Sequence, residues 1–121
     1  MFNWPRKRNA PQAAGMNFDL EEVEPLLKRL NSVLDSGFKE SDIQVIQSQI
    51  NQMSTDHEVK EIGTYKVVYK DKDAQIRIEA EIHIEDDSRE VVLNMFSHPK
   101  LVQAIDEKMI EHSDEVEALS E

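Results

Sequence analysis

The sequence predicts an α+β fold, a two-layer sandwich in which helices cover one face of a three-stranded antiparallel meander. Two apolar stripes at helical spacing precede residue 54. A period-two alternation then runs from about residue 58 to residue 96, and one more helical stripe follows it. These patterns distinguish helices from half-buried strands and give the expected order α-α-β-β-β-α around one core.

Residues 1–16 contain two prolines, one glycine and no periodicity, and are expected to form a flexible basic tail. Phe2 and Trp4 stand beside Arg6, Lys7 and Arg8, the elements of a weak membrane-surface or partner-docking motif. Three charges without a second anchoring signal favour a plain solvated tail.

Leu20, Val23, Leu27, Leu30 and Leu34 recur at three- and four-residue steps, with Leu26 and Val33 widening the stripe. They predict a helix over 22–36, with Pro25 tolerated in its first turn and Gly37 ending it as a left-handed residue. Ser41 and Gln44 have the spacing of a capping box, which starts a second helix carrying Ile43, Ile46, Ile50 and Met53 on one face. The short link at 37–40 makes the two helices antiparallel or sharply angled.

The strands follow. Tyr65, Val67 and Tyr69 alternate with Lys66, Val68 and Lys70. Residues 75–85 form an unbroken ladder with Ile76, Ile78, Ala80, Ile82 and Ile84 on one face and Gln75, Arg77, Glu79, Glu81, His83 and Glu85 on the other. Val91, Leu93 and Met95 supply the third strand. A first hairpin tipped at Lys72-Asp73 would pair Tyr69 with Ile76, Val67 with Ile78 and Tyr65 with Ala80, and set Lys66 against Glu79. A second, tipped at Asp87-Ser88, would pair Ile84 with Val91, Ile82 with Leu93 and Ala80 with Met95, at the cost of opposing Glu85 and Glu90. Gly63 is expected to mark a bulge that lets Ile62 join the core out of phase. Ser97 is expected to cap a last helix over 98–112, with Leu101, Val102, Ile105 and Met109 inward. One domain over 17–112 results, and residues 113–121 read as an acidic C-terminal tail.

Twenty-five acidic residues against fourteen basic ones give a net charge of −11. Residues 1–15 hold three of the bases and no acid, so residues 16–121 carry eleven bases against twenty-five acids, a net of −14. Such a surface repels phosphate backbones and attracts basic proteins. Gln44, Gln47 and Gln49, on the second helix of a pair loosely spaced like a helix-turn-helix, therefore do not point to DNA. There is no cysteine, no transmembrane-length apolar run and no apolar segment of a secretory signal, so a cytoplasmic protein without integral membrane association is expected.

No nucleophile elbow, clustered glycines or cysteine-based metal motif occurs, so no enzyme activity, cofactor or metal is expected from motifs. His98 and His112 share a helix but lie about 21 Å apart, too far for one ion. His57 and His83 would meet on the outer face only if the register happened to align them. Glu79, Glu81, His83 and Glu85 stand at successive outward positions about 7 Å apart. That spacing could let them share a divalent ion or a proton, as a metal-linked or small-molecule sensor face or a catalytic site would. An open face without a pocket, however, reads first as a plain solvated surface or an interface. Val68, Val92 and Phe96 could add an apolar patch rimmed by these charges. The leading expectation is a non-catalytic protein-binding module with an acidic surface. It would act as an inhibitor, immunity-type protein or adaptor masking a basic protein partner through Glu79, Glu81, His83, Glu85, Val68 and Val92. The open edges of the meander, or its outer face, would also permit a homodimer.

Overall fold

The alternating ladder at residues 75–85 builds the strand on which the sheet is organised. The structure, a computed structural model, describes residues 12–86 and 88–120. Strand β3 (Lys72–Glu85) is hydrogen-bonded on one side to β2 (Val59–Tyr69) and on the other to β4 (Ser88–Ser97). Strand β1 (Gln12–Asp19) lies outside β4, giving an antiparallel sheet in the order β1-β4-β3-β2. Three α-helices among the described residues, α1 (Val23–Leu30), α2 (Glu40–Asn51) and α3 (Pro99–Ser120), complete an α+β fold. Ile76, Ile78, Ala80 and Ile82 of β3 are buried in one cluster with Val91, Leu93 and Met95 of β4 and the apolar stripes of the helices.

The fourth strand corrects the expected order and the expected tail. Residues 12–16 belong to β1, which pairs along its whole length with β4, from Gln12 opposite Ser97 to Asp19 opposite Glu90. Ala14 and Phe18 turn inward and are buried, with Met16 half-buried between them. Ala-Ala-Gly has little intrinsic strand preference, so this strand exists because β4 offers it a free edge. The segment with Phe2, Trp4 and the basic triplet lies outside the described residues.

Helix α1 is shorter than expected and does not end on a left-handed glycine. It runs into a 3-10 turn over Asn31–Val33, after which the chain is held by a side chain. Asn31 donates through Nδ2 to the Phe38 carbonyl at 2.9 Å and accepts the Phe38 N–H through Oδ1 at 2.7 Å. A Cβ on Gly37 would overlap that amide, so the glycine is required by close approach rather than by its φ. Helix α2 likewise begins one residue before the expected Ser41 cap. Lys39 is the N-cap, and the Asp42 carboxylate accepts its N–H at 3.2 Å. At the far end Arg89 of β4 donates to the carbonyls of Met53 and Asn51, placing a cation on the helix C-terminus.

Both hairpins turn earlier along the chain than expected, the first by two residues and the second by one. The first turns at Lys70 and Asp71, both in the left-handed region with φ of 51° and 65°, as a two-residue type I′ turn requires. Tyr69 therefore faces Lys72, Val67 faces Ala74, and Tyr65 faces Ile76, while Lys66 meets Gln75 instead of Glu79. The partner moves by four residues, an even step, so the core phase survives the correction. In the second hairpin Glu85 faces Ser88, Ile84 faces Arg89, Ile82 faces Val91 and Ala80 faces Leu93. Glu90 then lies opposite His83, which removes the Glu85–Glu90 opposition that a turn at Asp87-Ser88 would carry.

The expected bulge is present. Pairing slips between Glu61 and Gly63, and Ile62 is buried. Ser97 is not a helix cap. It ends β4, its hydroxyl donating to the Gln75 carbonyl at 2.6 Å, and His98 takes the cap position with Nδ1 accepting the Leu101 N–H at 3.4 Å. Helix α3 continues to Ser120, through most of the segment expected to be a tail. His112 is buried beside Phe18 and 3.2 Å from a Glu22 oxygen, and Glu115 pairs with Arg29 of α1. Contacts beyond the last apolar position of the predicted helix therefore extend it.

Candidate functional site

With the helices on one side, the other side of the sheet is left open, and the outward row of β3 runs through it. Arg77, Glu79, Glu81 and His83 follow one another, each partly covered by its neighbours. Across on β4 they face Phe96, Asn94, Val92 and Glu90. On β2, Glu61 faces Glu79 and Val59 faces Glu81, while on β1 Asn17 faces Val92 and Asp19 faces Glu90. Six carboxylates (Asp19, Glu61, Glu79, Glu81, Glu85 and Glu90) thus share this surface with Arg77, and nearer the first hairpin Lys66 and Asp73 continue it.

Arg77 organises one half of it. Its guanidinium carbon lies 4.0 Å from the Phe96 ring centre, and Nη1 is 3.6 Å from Glu61 and 3.8 Å from Glu79. The stacked guanidinium covers the aromatic face, so Phe96 does not form the bare apolar patch expected of it. Val92 remains, half-buried beside Glu81. Asn17 donates to Glu90 at 2.8 Å and fixes the β1 side of the face.

Val68 does not join this group. It lies opposite Asp73, eight residues from Glu81 along β3, or about 26 Å away. Its backbone N–H and carbonyl are bonded to Ser36, which covers that stretch of the β2 edge. A cleft lined by Ser36, Lys66, Val68, Asp73 and Gln75 lies at this hairpin end. The expected patch of Val68, His83, Val92 and Phe96 is therefore split by register. The edges also change: β4 is internal, and the outermost strands are β1 and β2.

At the opposite end the structure brings together the two histidines whose meeting depended on the register. The His57 N–H donates to the Ile82 carbonyl at 2.8 Å, and the Ile82 N–H donates to the Glu58 carbonyl at 2.9 Å. The turn before β2 thus continues the ladder along β3. The His57 and His83 rings stand nearly perpendicular, at 88°, with centres 4.8 Å apart. Glu81 Oε2 is 3.1 Å from His83 Nε2 and 3.7 Å from His57 Nδ1. Asp56 reaches the same place, with Oδ2 3.4 Å from His57 Nε2 and Oδ1 accepting the Ile84 N–H at 2.8 Å. Donor atoms of Asp56, His57 and His83 all lie within 4.8 Å of one another.

The sequence signal for this cluster lay in the bulge. Val59 faces Glu81, so two residues earlier His57 aligns with His83. Without the extra residue at the bulge, every position before Gly63 would shift by one, and His57 would take the core phase. The expected quartet keeps Glu81 and His83 at the cluster. Glu79 is paired with Arg77, and Glu85 is exposed at the hairpin end.

Among the described residues no helix is long and apolar enough to cross a membrane. The fold and this face define a small α+β protein with an open, acidic antiparallel sheet. Comparisons with protein-family models, with curated proteins and with solved structures found no match.

Proposed function

We propose that the chain is a cytoplasmic, non-catalytic binding module that masks a basic protein partner, as an inhibitor or adaptor does. The observation that carries this reading is the open sheet face, where Val92 is set among Glu79, Glu81 and Glu90. A rigid apolar centre with a charged rim suits a protein interface, and the acidic excess steers a basic partner toward it. The same charge disfavours nucleic acid, whose phosphates need neutralising bases. A second copy meeting this face would oppose carboxylates with carboxylates. That favours a heterologous partner here and leaves β1, the outermost described strand on that side, as the route to a homodimer.

The test is capture on the immobilised protein at low salt, followed by purification of the recovered protein and rebinding to wild type and variants. A basic partner is expected, with affinity falling at least about tenfold from 0.1 to 0.5 M salt as the charges are screened. A Glu79→Gln/Glu81→Gln/Glu90→Gln variant should weaken rebinding similarly, whereas Glu107→Gln, at an exposed position of α3, should not. Rebinding that ignores both the salt and the triple variant would remove this reading.

A further inference from the structure

We propose that Asp56, His57 and His83 form a binding site for one transition-metal dication of the zinc type, with Glu81 as the outer carboxylate that orients the imidazoles. This inference is independent of the docking reading, since it rests on side-chain geometry at one end of the sheet and not on the charge of the whole face.

Two imidazoles and a carboxylate are the donor set of Zn²⁺, Ni²⁺ or Co²⁺ rather than of Ca²⁺ or Mg²⁺, which take oxygen ligands. In a tetrahedral zinc site with bonds of about 2.0–2.1 Å, neighbouring donors stand about 3.4 Å apart. Asp56 Oδ2 and His57 Nε2 are already separated by 3.4 Å. All three donors lie within 4.8 Å, so the widest pair must close by little more than 1 Å.

The parts are held in place by the backbone. Asp56 has one oxygen engaged by the Ile84 N–H, which leaves the other to face the histidines. His57 sits at φ 66°, an unusual conformation for a residue with a side chain. It is kept there by its N–H bond to Ile82 and by the turn around it, where Glu58 Oε1 accepts the N–H groups of Ser54 and Thr55, each at 3.2 Å. His83 comes from the middle of the sheet, on a half-buried row. Glu81 Oε2 lies 3.1 Å from His83 Nε2, within hydrogen-bond reach, and 3.7 Å from His57 Nδ1. With the other nitrogen of His83 turned to the ion, the carboxylate would fix the tautomer of a metal-bound histidine. Three protein ligands leave a fourth position for water or for a donor from a partner. Occupancy would tie the α2–β2 turn to β3 and place a dication beside Glu81 and Val92.

The experiment uses the untagged full chain, titrated with Zn²⁺ by calorimetry and with Co²⁺ by visible absorption. One equivalent should bind saturably, the Co²⁺ complex should show the intense bands of a four-coordinate N/O site, and Zn²⁺ should displace it. In the wild-type protein Co²⁺ should shift or broaden the ring resonances of His57 and His83 while leaving those of His98 sharp. His57→Gln and His83→Gln, on exposed and half-exposed side chains, should keep the fold and lose at least tenfold in affinity. Glu81→Gln should lose about tenfold, and His98→Gln should lose nothing. No saturable binding at millimolar Zn²⁺ would overturn the proposal, as would equal binding by both histidine variants, or paramagnetic effects centred on His98.

Discussion

Replacing Gly63 with alanine is expected to cost about 2 kcal/mol, and the figure follows from the backbone. Gly63 has φ 155°, within the region that residues with a Cβ avoid, and holding such a residue there costs about 1–3 kcal/mol. The added Cβ would sit 3.3 Å from Tyr65 Oη, a tight contact that the ring can relieve only by moving. Relaxation of the bulge is opposed from both sides, because β2 is paired with β3 before and after the slip and Ile62 is buried within it. For a chain of this size the loss corresponds to a fall of roughly 6–12 °C in Tm. Urea denaturation of wild type and variant, followed by circular dichroism, gives the free energy directly, and the slope should be unchanged if only the native state is strained. A loss below about 0.5 kcal/mol would refute the assignment of strain to this position. Retention of the close His57–His83 approach in that variant, read from cross-peaks between their rings, would show that the register does not depend on glycine.

Arg89→Met should preserve the aliphatic contact while leaving the carbonyls of Met53 and Asn51 without their cation. A loss of about 1–3 kcal/mol by denaturation is expected, with faster amide exchange confined to the end of α2, and unchanged exchange there would contradict the capping role. Tyr65 has its pKa raised above 10.0, first by burial against Phe38 and its surroundings and second by the negative charge of Asp42. The folded state therefore holds the phenol proton more tightly than the unfolded chain. Its stabilising contribution is complete below pH 10 and is lost as pH rises through the higher folded value. In a Tyr69→Phe background the tyrosinate absorbance reports Tyr65 alone, and a midpoint at or below 10 would refute the shift.

The elements that were legible are those whose signal is local. The isoleucine ladder, the two leucine- and isoleucine-striped helices and the glycine bulge each follow from spacing within one segment, and the structure retains them. The hairpin registers were legible in phase but not in length. Lys70-Asp71 adopts a turn usually made with asparagine or glycine, and nothing in its composition advertises it. Strand β1 was hidden because Ala14, Gly15 and Met16 have weak preferences of their own and are ordered by the edge of β4. The end of α3 was hidden for a related reason, since Glu115 meets its partner on another helix. At the candidate site Glu81 and His83 could be named from the ladder and His57 only as a residue that register could bring to His83. Asp56 went unnamed, and Val68 was assigned to a patch that the register dissolves.

Within the elements it predicted, the sequence by itself determined which side chains face the core and which face solvent, because strand alternation and helical spacing are properties of consecutive residues. It also determined the acidic character of the open face, since the outward positions of β3 are written in its order. Tertiary structure alone decided which distant residues meet. A two-residue turn and one extra residue at Gly63 set the register of β2 on β3, and register, a sum over two strands, is invisible in either strand alone. That alignment is why His57 stands against His83 with Asp56 and Glu81 beside them, at the end of a sheet whose fourth strand came from residues with no strand signal.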